Sequence, residues 1–86
     1  NPEPVLMSSR VRLDSVRCVG EGGRHLRAEL RGAPDPVSVV GFGMGDAVSS
    51  LSGDRLFKIC YNFRVSAYNG SGRAEIVLRD LPAVQE

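Results

Sequence analysis

Tryptophan is absent, histidine occurs once (His25), and lysine occurs once (Lys58) beside ten arginines. A lone histidine leaves no partner for a histidine-based metal centre or a catalytic triad. It reads instead as a solvent-facing strand residue. The two cysteines, Cys18 and Cys60, lack the paired Cys/His spacing of a zinc site. Each sits in a strand-like apolar run and reads as a buried thiol rather than half of a disulfide. No apolar run approaches the roughly 18 residues of a membrane span, and no signal peptide precedes the domain, so a cytoplasmic location without membrane contact is expected. Eleven basic and ten acidic residues give a net charge of +1, which excludes a polycation but permits a local basic stripe. The carboxylates are scattered and none pairs as acid and base. No catalytic residue, metal ligand or cofactor site is therefore expected.

What the sequence does contain is alternation. Its 86 residues suffice for one domain with a single core. Asn1 to Pro4, "NPEP", reads as an extended linker, and the abrupt opening reads as excision from a longer chain. Val11 and Leu13 share one strand face, but after Asp14-Ser15 the apolar phase moves to Val16 and Cys18, the mark of a β-bulge or of two short strands. "GEGGR" is a turn. "HLRAELR" then alternates, with Leu26, Ala28 and Leu30 inward and His25, Arg27, Glu29 and Arg31 outward. After the "GAPDP" turn, "VSVVGF" is a third strand. "MGDAVSSLSGD" accommodates a helix of two to three turns that Gly53 stops. In "FKICYNFRV", Phe57, Ile59, Tyr61, Phe63 and Val65 form one face. "YNGSGR" is a hairpin turn, "AEIVLRDL" the last strand, and residues 82–86 a tail.

This order predicts an all-β domain over residues 1–86, a five-stranded OB-fold Greek-key barrel with one short helix between strands 3 and 4. A half-open five-stranded sandwich is the alternative. "GFGMGD", Gly41 to Asp46, resembles a phosphate loop only superficially. The third-glycine position of a dinucleotide fingerprint falls on Asp46 or Val48, and a Walker loop would need Gly-Lys-Ser/Thr. The glycines read as a backbone corner between strand and helix, with Phe42 or Met44 plugging the barrel end. OB-folds bind single strands on strands 2 and 3 and on two loops. In this layout those places carry Arg17, Arg24, His25, Arg27 and Arg31, then Tyr68, Asn69 and Arg73. Arginines track phosphates and an aromatic ring stacks on a base. The alternative for each is a solvating role, and for Tyr68 packing of the hairpin end.

Four segments, "NPEPVLM", "VGEGGRHLRAELRG", "VVGFGMGD" and "YNGSGRAEIVLRDL", resemble in order the C-terminal OB domain of RecJ-type single-strand-specific exonucleases. The resemblance implies a domain that grips single-stranded DNA for 5′-to-3′ degradation in recombination and repair. It also implies upstream catalytic domains of the DHH phosphoesterase class in the same chain, using a divalent metal (Mn or Mg). None of those metal-binding motifs occurs in this sequence. On that reading Arg24, His25, Arg27, Arg31, Tyr68 and Arg73, taken from the strand layout, guide the strand; the sequence departs from the family pattern in its arginine bias and in the inserted Ser71-Gly72, which lengthens the hairpin turn. A structural or docking domain, holding catalytic domains together or recruiting a partner protein, is the competing function.

Overall fold

A computed structural model describes residues 3–34, 37–51, 53–68 and 71–85. The first extended segment is divided. β1 (Leu6–Val11) and β2 (Leu13–Val19) are separated at Arg12. Arg10 (φ 57°) lies where the β1 register shifts, and Ser15 (φ 55°) marks a second shift between Asp14 and Arg17. The second shift is where the apolar phase slips in sequence. After a 3-10 turn at Glu21–Gly23 come β3 (His25–Leu30) and β4 (Val37–Gly41). A second 3-10 turn at Gly45–Ala47 runs into α1 (Val48–Leu51). Next are β5 (Phe57–Tyr68), β6 (Ser71–Leu78) and β7 (Ala83–Val84).

These strands form one seven-stranded sheet in the order β1-β5-β6-β4-β3-β2, with β7 also on β5. Only β4 and β6 run parallel. The two ends of that order, β1 and β2, are halves of one bent segment, so the sheet curls round on itself. The count exceeds the expected five because the first strand divides at Arg12 and because residues 83–84 pair rather than trail. The helical segment, a 3-10 turn followed by four α-helical residues, makes about two turns.

Inward side chains follow the period of two. Leu13, Leu26, Ala28, Val39, Phe57, Ile59, Ile76 and Leu78 fill the core, and Leu51 from α1 closes it. Phe57 and Leu26 are fully buried; each such side chain contributes about 1.5–3 kcal/mol. Three local expectations change. Phe63 and Val65 share the Phe57 face yet are 48% and 68% exposed, because β5 runs on past the core as a hairpin arm with β6. Ser71 and Gly72 lie in β6 opposite Tyr68 and Ala67, so they extend the ladder rather than the turn. Both cysteines are free, but Cys18 is exposed and Cys60 half-buried. Cys18 lies against the glycine loops, where its Sγ donates to the Gly45 carbonyl at 3.3 Å.

The tail is tied down as well. Pro82 is buried, the Gln85 N–H donates to the Leu56 carbonyl at 2.8 Å, and Gln85 Oε1 accepts from the Arg10 N–H at 2.7 Å. Among the described residues no helix is long and apolar enough to cross a membrane.

Candidate nucleic-acid interface

On the outer face, strand register arranges side chains in cross-strand rows. One row is Arg17, Arg27, Val40, Val77 and Asn62. The next, toward the hairpin, is Asp14, Glu29, Ser38, Glu75 and Arg64. Arg17 and Arg27 stand directly opposite each other, an unfavourable like-charge pairing. Arg17 resolves it by turning to Glu29 Oε2 (3.1 Å) and to the Ser15 carbonyl (2.8 Å).

Arg31 is also engaged. Its Nε and Nη2 donate to Asp14 Oδ1 at 2.9 and 2.6 Å, and its Nη1 donates to Asp54 Oδ1 at 2.8 Å. Arg12 donates to the same Asp54 oxygen. The hydrogen bonds from Arg31 hold the Asp14 carboxyl below its ordinary range, and those to Asp14 push the Arg31 guanidinium above its own. This cluster joins β2, β3 and the segment after α1. Of the basic second strand and its turn, Arg24 and Arg27 are left without an ion pair among the described residues.

His25 does not simply face solvent. It is half-buried, and its Nδ1 accepts from the Gly43 N–H at 2.9 Å. Its ring meets Phe42 edge-to-face, with centroids 5.6 Å apart and planes at 77°. The acceptor role assigns the proton of the neutral ring to Nε2. The glycine corner it braces is built by close approach. A Cβ on Gly45 would stand 1.9 Å from the Gly23 carbonyl oxygen, and one on Gly41 would stand 2.7 Å from Met44 Sδ. Gly43 has φ 73°. Met44 packs on the core, whereas Phe42 is 60% exposed.

The remaining sequence-predicted residues lie at the hairpin. Tyr68 pairs with Ser71, and Arg73 pairs with Ser66. Asn69 lies outside the described residues. The β3 residues and the hairpin thus belong to one continuous sheet, but the row containing Glu29 and Glu75 lies between them. Sequence reasoning weighed Phe42 only as a plug of the barrel end, a place that Met44 takes, and gave Arg79 no role. The signal for Phe42 was present, since it keeps the outward phase of Ser38 and Val40. No three His, Cys, Asp or Glu side chains among the described residues cluster closely enough to hold a metal ion.

The RecJ OB domain model matches residues 1–80. The chain belongs to the RecJ OB domain family. Among solved structures, this OB domain is similar to the SSB domain of a protein from Synechococcus sp.. The two are 15% identical with a TM-score of 0.60, over 96% of this chain and 98% of the other. That likeness is one of fold. No curated protein sequence matches the chain.

Proposed function

We propose that this OB domain binds single-stranded DNA for a RecJ-type 5′-to-3′ exonuclease acting in recombination and repair. Hydrolysis, with its divalent metal, belongs on this reading to catalytic domains elsewhere in the parent chain. One observation carries the proposal. Arg27 on β3, without an ion pair among the described residues, stands opposite Arg17, and Arg24 just before β3 is likewise without one, in a chain of the RecJ OB family. An arginine with no carboxylate partner is free to exchange its counterion for a phosphate. Arg31, held by Asp14 and Asp54, acts as a clamp that shapes the strand end. Tyr68, Asn69 and Arg73 complete the set of residues proposed to contact the strand.

The test is titration of the purified domain with a labelled single-stranded oligonucleotide and a matched duplex at several salt concentrations. Preference for the single strand, with log affinity falling by about 0.7 per phosphate neutralised for each decade of salt, is expected. Absence of binding at low salt overturns the reading.

A docking role has its own supporting observation. Leu6, Phe63 and Val65 are exposed, and Phe63 and Val65 lie beyond the core on the Phe57 face. Deleting the domain would then damage folding of the parent rather than substrate affinity alone.

A further inference from the structure

Phe42 is the large aromatic side chain that the packing leaves over at the glycine corner. Met44 takes the place against the core, and Phe57 lies fully buried inside it. Phe42 instead stands 60% exposed at the end of β4. Its ring is nevertheless held. His25 contacts it edge-to-face, and His25 is fixed by the Gly43 N–H. An edge-to-face contact occupies at most one ring face, so the other is open to a planar partner.

The charges around it are ordered. Arg24, Arg27 and Arg79 have no ion pair among the described residues. Asp14, Glu29 and Glu75 occupy the row on the hairpin side of Arg27. Val40 and Val77, each 5% exposed, are buried in the row between Arg27 and β5, so the side chains offered to a ligand are those that flank them. Two residues beyond these paired valines, just past the ends of β4 and β6, come Phe42 and Arg79. Two strand intervals, about 10 Å, separate β3 from β6, a distance that a short oligonucleotide covers.

We propose that Phe42 is a base-stacking platform for a single strand laid across β3, β4 and β6, its phosphates contacted by Arg27 and Arg79. This rests on the single-strand reading above and adds to it a path and a stacking residue. The strand crosses the sheet on the glycine-corner side of the acidic row. Phe42 supplies a sequence-tolerant contact, because every base has a π-face.

The absence of tryptophan provides a clean probe. Phe42→Trp introduces a single indole, whose fluorescence is expected to be quenched on adding oligothymidylate. Phe42→Ala is expected to weaken oligothymidylate binding roughly 5- to 150-fold. Phe42→Leu, which keeps apolar bulk without the ring, should weaken it too. An abasic oligonucleotide of equal length should bind wild type and Phe42→Ala alike. Arg27→Ala and Arg79→Ala should each lower the salt slope by about 0.7. Urea midpoints of all variants establish that they fold. If oligothymidylate binds, Arg27→Ala weakens it, and Phe42→Ala leaves it unchanged, stacking at Phe42 is overturned while the single-strand reading stands. An indole unaffected by a bound oligonucleotide overturns it equally. If wild type binds no oligonucleotide at low salt, the single-strand reading fails and this inference fails with it.

Discussion

The Nδ1 atom of His25 accepts the backbone N–H of Gly43 at 2.9 Å, joining the start of β3 to the corner that ends β4. The imidazole fills a slot beneath Gly20, where a Cβ would stand 2.9 Å from its Cδ2 atom. A single side chain thus ties two connections together. His25→Ala leaves the Gly43 N–H without its partner and the Phe42 ring without its neighbour. Loss of about 1–2 kcal/mol is expected, read as a lower urea midpoint with an unchanged slope.

Gly45 sits where another backbone passes, and its N–H donates to the Arg24 carbonyl at 2.9 Å. Gly45→Ala must displace the Gly23 carbonyl, which is backbone and cannot swing aside. Its cost should exceed the roughly 1 kcal/mol of an alanine whose only fault is positive φ. Gly22→Ala, with open space around the added carbon and φ 70°, supplies that comparison. Thermal unfolding should rank wild type above Gly22→Ala, and Gly22→Ala above Gly45→Ala.

Asp14 couples stability to acid. Its folded-state value lies below the ordinary 3.8, chiefly through the hydrogen bonds from Arg31. A depressed carboxyl contributes stability that is fully present above the unfolded value and is lost as pH falls through the folded one. The stability difference between wild type and Asp14→Asn should therefore be constant near neutrality and shrink below about pH 3.8. Because the pair is exposed, added salt should shrink it as well. A difference that does not shrink as pH falls below the ordinary 3.8 would contradict this account.

Arg27 on β3 and Arg31 just past its end should fail differently. Arg31→Ala removes the clamp on Asp14 and Asp54 and should lower the thermal midpoint. Arg27→Ala removes no ion pair and should leave the midpoint within about 1 °C. Its effect should appear in oligonucleotide affinity. Reversed assignments would move the proposed interface off β3.

Leu26→Ala tests the core. Leu26 has no exposed surface and packs among Leu13, Val39 and Ile76. A loss of about 2–5 kcal/mol is expected from the removed methyl groups and the cavity they leave. Denaturant unfolding measures it directly.

The strand framework was legible because alternation encodes a face. Leu26, Ala28, Phe57 and Ile59 share their faces in sequence as in space. The slip after Ser15 was legible as a change of phase. The charge pattern was not. Arg17 and Arg31 look as available in sequence as Arg27, and only register brings Glu29 to one and Asp14 and Asp54 to the other. His25 escaped for the same reason, since its partner Gly43 is 18 positions away and offers a main-chain N–H that no residue letter announces. The exposure of Phe63 and Val65 was hidden because alternation gives a side chain's face but not where the core stops.

The bond from Arg10 N–H to Gln85 Oε1 joins positions 75 apart. During synthesis, residue 10 waits for residue 85 to leave the ribosome before this bond can form. β1 waits for β5 in the same way. Contacts of such sequence separation make folding slow, in the millisecond-to-second range. Through most of translation β1, with its apolar Leu6, Met7 and Val11, has no partner strand, and its exposed edge is covered only when β5 emerges.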